Sequence, residues 1–220
     1  MFQTHHLTNG LRIIHRPFPS EISYCGIAIN TGSRDEFPDE QGMAHFVEHM
    51  LFKGTEKRQA HHVINRMENV GGELNAYTTK EETFIYATFL SEHFGRAVEL
   101  LSDMVFHSTF PEHQIEKERD VILDEMNSYV DSPSELIFDD FENILFANHE
   151  MGHYILGTSE SLLSFDKKKV EDFVSRQYSP TNMVLFSLGK TPFSKVVHLT
   201  ERYFGLSDAR FLSSKKRERP

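Results

Sequence analysis

The chain has 220 residues, of which 39% are hydrophobic and 25% charged, with a formal net charge of -10 and a pI near 5.7. These proportions are ordinary for a folded protein and exclude disordered, collagen-like and coiled-coil classes, while the acidic balance speaks against a nucleic-acid partner. No basic-then-apolar leader opens the chain and no stretch of about eighteen apolar residues occurs, so neither a membrane nor an export signal is read and a cytoplasmic location is expected.

Residues 2–16 predict a hairpin, because Asn9-Gly10 separates two alternating runs and that dipeptide supplies the positive φ angles of a tight turn. Residues 24–31 predict a more apolar strand, which contains the single Cys25; with no partner for a disulfide, that thiol is expected to be a small buried packing residue. A polar loop over 32–41 precedes a helix over about 40–52, where Met43, Phe46, Val47, Met50 and Leu51 recur at helical spacing. A second helix, about 59–70, should stop at Gly71-Gly72. Strands follow at 73–77 and 83–90, the latter rich in β-branched and aromatic residues. Three longer helices are then predicted over 91–106, from Pro111, and from Pro133 to about 147; proline is tolerated at a helix start, and these three are expected to cover one face of the sheet. Two short helices, a strand over 182–188 and a last helix over 192–204 complete a domain at 1–210, and the charged residues 211–220 read as a tail or linker.

The chemistry is concentrated in His45-Phe46-Val47-Glu48-His49. Histidines four apart on a helix share a face about 5–6 Å apart, so both imidazoles can reach one ion. Glu48 lies beside them, placed to take a proton from an activated water; this H-x-x-E-H order is the inverted zinc-peptidase motif. A catalytic zinc needs a third protein ligand from elsewhere. The best candidate is Glu125, on a predicted helix whose buried side is defined by Ile115, Val121, Ile122, Leu123 and Met126, and Glu118 shares its face two turns earlier. One of these two carboxylates would bind the ion and the other would orient a ligand or water. The remaining histidines, including His5-His6, His61-His62, His149 and His153, read as surface or structural residues. Gly189-Lys190-Thr191 lacks the earlier glycine that a phosphate-binding loop requires.

The flanks of the motif carry a wider likeness. Gly42 to Thr55, with the Phe52-Lys53-Gly54-Thr55 exit, and Gly71-Gly72-Glu73-Leu74-Asn75-Ala76-Tyr77-Thr78 resemble the inverted-zincin peptidases that include pitrilysin, insulin-degrading enzyme and the mitochondrial processing peptidase. Glu125 fits the distant glutamate ligand of that family and Glu118 the glutamate seven before it; Glu81, Thr83, Asp131-Ser132-Pro133, Gly157-Thr158 and Tyr178 to Met183 are similar to further landmarks, so the resemblance covers about residues 3–205. A departure at Ser187-Leu188-Gly189-Lys190, where many relatives have an acidic or amide residue after the glycine, is expected to leave the chemistry unchanged.

The resemblance implies an α+β fold with a largely antiparallel sheet and helices packed mainly on one face, forming one half of a two-half peptidase chamber. It implies Zn2+ held by His45, His49 and Glu125, Glu48 as general base, Glu118 as an orienting residue, and Asn75, Ala76 and Tyr77 on an edge strand that receives an extended peptide substrate. A homologous second half or partner chain is expected, with no nucleic acid or membrane partner. Three functions stay open on the sequence: a zinc endopeptidase half, a non-catalytic binding or assembly subunit, and a metal-dependent hydrolase of another substrate class. Whether the chain is an excised half or a natural subunit is also open.

Overall fold

The structure, a computed structural model, describes residues 1–205 and Arg217. The predicted tail at 211–220 therefore lies outside the described residues except for Arg217, whose guanidinium donates to Asp35 Oδ1 at 2.9 Å and Oδ2 at 2.7 Å.

Strands β1 (Gln3–His6), β2 (Arg12–Pro17), β3 (Ile22–Ile29), β4 (Glu73–Thr78), β5 (Thr83–Leu90) and β6 (Met183–Gly189) form one sheet of order β1-β2-β6-β3-β5-β4. Only the β2–β6 pair is parallel; the other neighbours run antiparallel. The hairpin joining β1 and β2 forms as expected, with a different turn. Gly10 alone takes a positive φ, +89°, while Asn9 spends its amide on the Phe204 carbonyl at 2.8 Å and ties the hairpin to the last helix.

Eight helices accompany the sheet among the described residues: α1 (Met43–Met50), α2 (Ala60–Glu68), α3 (Phe94–His107), α4 (Glu112–Val130), α5 (Pro133–Leu145), α6 (Ser159–Leu163), α7 (Lys167–Gln177) and α8 (Phe193–Phe204). Period-2 alternation sorts the strands: Ile85, Ala87 and Phe89 of β5 and Cys25, Ile27 and Ile29 of β3 are buried under the helices, while Tyr24 and Tyr77 on the opposite face are exposed. The expectation that three consecutive helices cover that face needs correction. α3 packs on β3 and β5 and α8 on β2 and α3, whereas α4 packs on α1 and α5 on α4. The reason is in α4 itself, whose buried residues are only Ile115, Glu118 and Ile122, a stripe too narrow and too polar to seat on a sheet. No described helix is long and apolar enough to cross a membrane.

The helix that carries the histidines is the most deeply set. Met43, Phe46, Val47 and Met50 of α1 have no exposed surface, and Phe46 meets Phe165 edge to face at 5.3 Å. Each such side chain contributes about 1.5–3 kcal/mol by burial. The entry to α1 is fixed by Gly42, at φ +92°, where a Cβ would lie 2.5 Å from the Leu156 carbonyl oxygen.

Gly42→Ala is therefore expected to lower stability by roughly 1–3 kcal/mol through backbone strain, and by more again through the Leu156 contact. Gly71→Ala, at φ +71° with open space around it, is the control that carries strain alone. Thermal unfolding of both checks this; equal losses would remove the role given to the close approach.

Candidate metal centre

An isolated eight-residue helix is marginal in water, so α1 depends on its surroundings. Its first turn is held by Glu36 from the preceding loop, a fully buried carboxylate that accepts from Gly42 N at 2.9 Å and Ala44 N at 2.8 Å. This satisfies orphan amides and puts an acidic group at the positive end of the helix. Burial raises the Glu36 pKa well above the usual carboxylate value, and the two amides act in the opposite direction.

One turn further, the imidazoles of His45 and His49 lie 4.5 Å apart between ring centroids. Glu125 reaches them from α4: its Oε1 lies 3.8 Å from His45 Nε2 and its Oε2 3.7 Å from His49 Nε2. Those separations are too long for hydrogen bonds, and somewhat above the ~3.3 Å expected between ligand atoms about 2.0–2.1 Å from one tetrahedral ion. The three side chains form the one group of metal-binding type found among the described residues, each offering an atom within 4.8 Å of the others. Two imidazole nitrogens and a carboxylate oxygen suit zinc and leave a fourth position for water or substrate. Burial, then the neighbouring His49, pulls the His45 pKa down to about 3 against the opposing pull of Glu118, so His45 stays neutral, as a ligand must.

Two carboxylates complete the surroundings. Glu118, almost wholly buried on α4, accepts from His49 Nδ1 at 2.8 Å and pairs through its other oxygen with Lys53 Nζ at 2.5 Å. Burial would raise its pKa; the bonds from His49 and Lys53 outweigh that and hold it below the ordinary value. Glu48 accepts from Thr78 Oγ1 at 2.6 Å, and its pKa is raised by burial against the pull of Thr78 and His49. A carboxylate shifted that way is a better proton acceptor near neutral pH.

The structure thus brings together His45, Glu48, His49, Glu118 and Glu125 and divides the other predicted residues. β4 is an edge strand of the sheet, with Ala76 on the helix side beside Leu74 and Thr78. Asn75 and Tyr77 alternate onto the opposite face, where Tyr77 stacks on Phe84 at 4.8 Å. Their side chains point away from the histidines, so any role toward a strand laid along this edge runs through their backbone. Thr78 and Lys53, named from the sequence only within longer motifs, and Glu36, not named individually, were given no role at the site. Period-2 alternation from Ala76 would have put Thr78 on the histidine side, whereas nothing in the polar loop distinguishes Glu36 from its acidic neighbours Asp35 and Glu40.

The sequence model described as insulinase, peptidase family M16, matches residues 13–159, and that of the peptidase M16 inactive domain matches residues 164–220. An uncharacterized zinc protease of Bacillus subtilis, YmxG, is 36% identical over 211 residues, covering 96% of this chain and 51% of the relative. The mitochondrial-processing peptidase subunit beta of Bos taurus is 37% identical over 214 residues, covering 97% and 43%. Among solved structures, the first half of the periplasmic protease PqqL from Escherichia coli superposes with a TM-score of 0.90 at 26% identity, over 100% of this chain and 48% of that one. The chain spans about half the length of the curated relatives it matches. Relatives named as zinc proteases imply zinc for the family.

The His45 shift predicts a pH dependence in metal-free protein. Its pKa falls from an ordinary 6.5 to about 3 on folding, so between those values the unfolded chain binds the extra proton. Stability is expected to fall as pH drops below about 6.5, and His45→Gln should remove up to one proton from that slope. Urea unfolding with chelator from pH 7 to 5 measures it; identical slopes in the two proteins would contradict a neutral, buried His45.

Proposed function

The chain belongs to the insulinase family, peptidase family M16, and from that membership we propose that it is the zinc-binding half of a metalloendopeptidase that hydrolyses extended peptides. The convergence of His45, His49 and Glu125 on one point, with Glu48 beside them on the same helix, is the observation that carries the reading. Bound zinc would supply the Lewis acidity that activates a water and polarises a peptide carbonyl.

The protein's own groups divide the remaining work. His45 and His49 supply neutral nitrogens from one helix and Glu125 the charge that partly offsets the metal. Glu48 takes the proton of the attacking water and returns it to the leaving amine, and its elevated pKa favours both transfers. Thr78 holds Oε2 of Glu48, which leaves Oε1 as the acceptor. The substrate adds as a further strand to the open edge of β4, where recognition runs through backbone hydrogen bonds and side-chain specificity is broad. Because relatives are about twice as long, a second half or a partner chain closes the chamber over this site.

Intact ligands speak against a purely structural subunit. In the full-length protein, Glu48→Gln is expected to keep zinc and reduce peptide cleavage by at least about 100-fold, the scale of a lost general base. A chelator should abolish cleavage and added zinc restore it. Unchanged turnover in either experiment rules out this mechanism, and purified protein without stoichiometric zinc would favour the non-catalytic reading.

A further inference from the structure

We propose that Lys53 is a positioning residue for His49, acting through Glu118; this rests on the reading that His45, His49 and Glu125 hold zinc. Lys53 stands in the turn that ends α1, its amide bonded to the Met50 carbonyl at 3.1 Å, and the next residue, Gly54, takes φ +127° to leave the turn. Its ammonium meets Glu118 Oε2 at 2.5 Å while Glu118 Oε1 accepts from His49 Nδ1 at 2.8 Å. The contacts therefore close a ring that runs from the end of α1 to α4 and back to a ligand on α1.

Both oxygens of Glu118 are needed for this. The side chain is only 4% exposed, so water cannot stand in for a missing partner, and a buried carboxylate with one oxygen unpaired is costly. With Lys53 on Oε2, the carboxylate plane is set by two contacts on opposite sides, and Oε1 is aimed at His49. That puts the proton of His49 on Nδ1 and the lone pair on Nε2, the atom 3.7 Å from Glu125 Oε2. With Lys53 removed, the carboxylate pivots on a single bond and the ring of His49 is no longer fixed about its own axis.

His45 offers no substitute for this arrangement. Its Nδ1 is buried and finds no hydrogen-bond partner among the described residues, so the orientation imposed by the protein enters the ligand set through His49. Lys53 itself is 26% exposed and touches none of the three ligands by hydrogen bond or ion pair, which makes its action indirect.

Zinc affinity separates this role from simple bracing of the fold. In the full-length protein, competition with a chromophoric chelator is expected to show about 10–100-fold weaker zinc binding for Lys53→Met, and the milder Lys53→Gln should give the same direction. Lys53→Arg, which keeps a cation against Oε2, should stay close to wild type. Glu118→Gln should weaken binding to a similar degree, and the Lys53→Met, Glu118→Gln double variant should be little weaker than Glu118→Gln alone. Wild-type affinity in Lys53→Met with a lower Tm would reduce Lys53 to a brace and overturn the proposal, as would multiplying effects in the double variant. Absence of zinc binding in the wild type would instead defeat the metal reading on which it stands.

Discussion

A helix buried on almost every side has to present polar groups at one point without solvent to orient them, and the rest of the molecule answers that constraint. On α1, Met43, Phe46, Val47 and Met50 are sealed in the core while His45, Glu48 and His49 share the remaining arc. The apolar side fixes where the helix lies. The polar side needs outside partners, because unpaired polar atoms at this depth would cost more than a typical hydrogen bond returns. Most of those partners come from the loop before α1, the turn after it, α4 and β4: Glu36 on the amides, Glu118 on His49 with Lys53 behind it, and Thr78 on Glu48, while Glu125 faces both histidines beyond hydrogen-bond distance and His45 Nδ1 has no partner among the described residues.

α4 is built for this service more than for packing. Its buried stripe is interrupted by Glu118, and it docks on α1 where a purely apolar helix would have gone to the sheet. Glu118 and Glu125, seven residues apart, look the same way along the helix, and they differ in surroundings. The first is enclosed and paired on both oxygens; the second is about a third exposed and lies where an ion and its substrate would meet solvent. On the proposed reading, that difference in burial is what makes Glu125 the ligand and Glu118 the orienting residue, a choice open on spacing alone.

Elements with strong periodicity were legible in the sequence. The apolar spacing in α1 and α3, the Gly71-Gly72 stop and the alternation in β5 all correspond to structure within a few residues. The common face of His45 and His49 was legible too, because residues at i and i+4 of a helix lie side by side, and the structure brings Glu125 of α4 to the same point. What escaped was set by tertiary position. Asn9 does not make the expected turn because Phe204, 195 residues away, offers its amide a better partner. Glu36 reads as one acid among several in a polar loop until the loop folds under α1 and removes it from water. Lys53 enters the sequence reading only as part of the Phe52-Lys53-Gly54-Thr55 exit, and nothing local says that a buried carboxylate from α4 will be waiting for it.

The strand at the edge of the sheet and the carboxylate of Glu48 are mechanically one unit. Thr78 is the last residue of β4, and its hydroxyl holds Glu48, so a displacement of the strand is felt at the carboxylate through a 2.6 Å bond. On the proposed reading, a peptide added along β4 straightens and braces that strand by main-chain bonds while also being delivered toward α1. The same contact that registers the substrate therefore sets the base. Because Asn75 and Tyr77 face away from the histidines, the register is carried by backbone, and the sequence of the peptide enters mainly through whatever covers the site from outside this half. On that same reading, selectivity would belong to the closed assembly and the geometry of bond breaking to α1, α4 and β4.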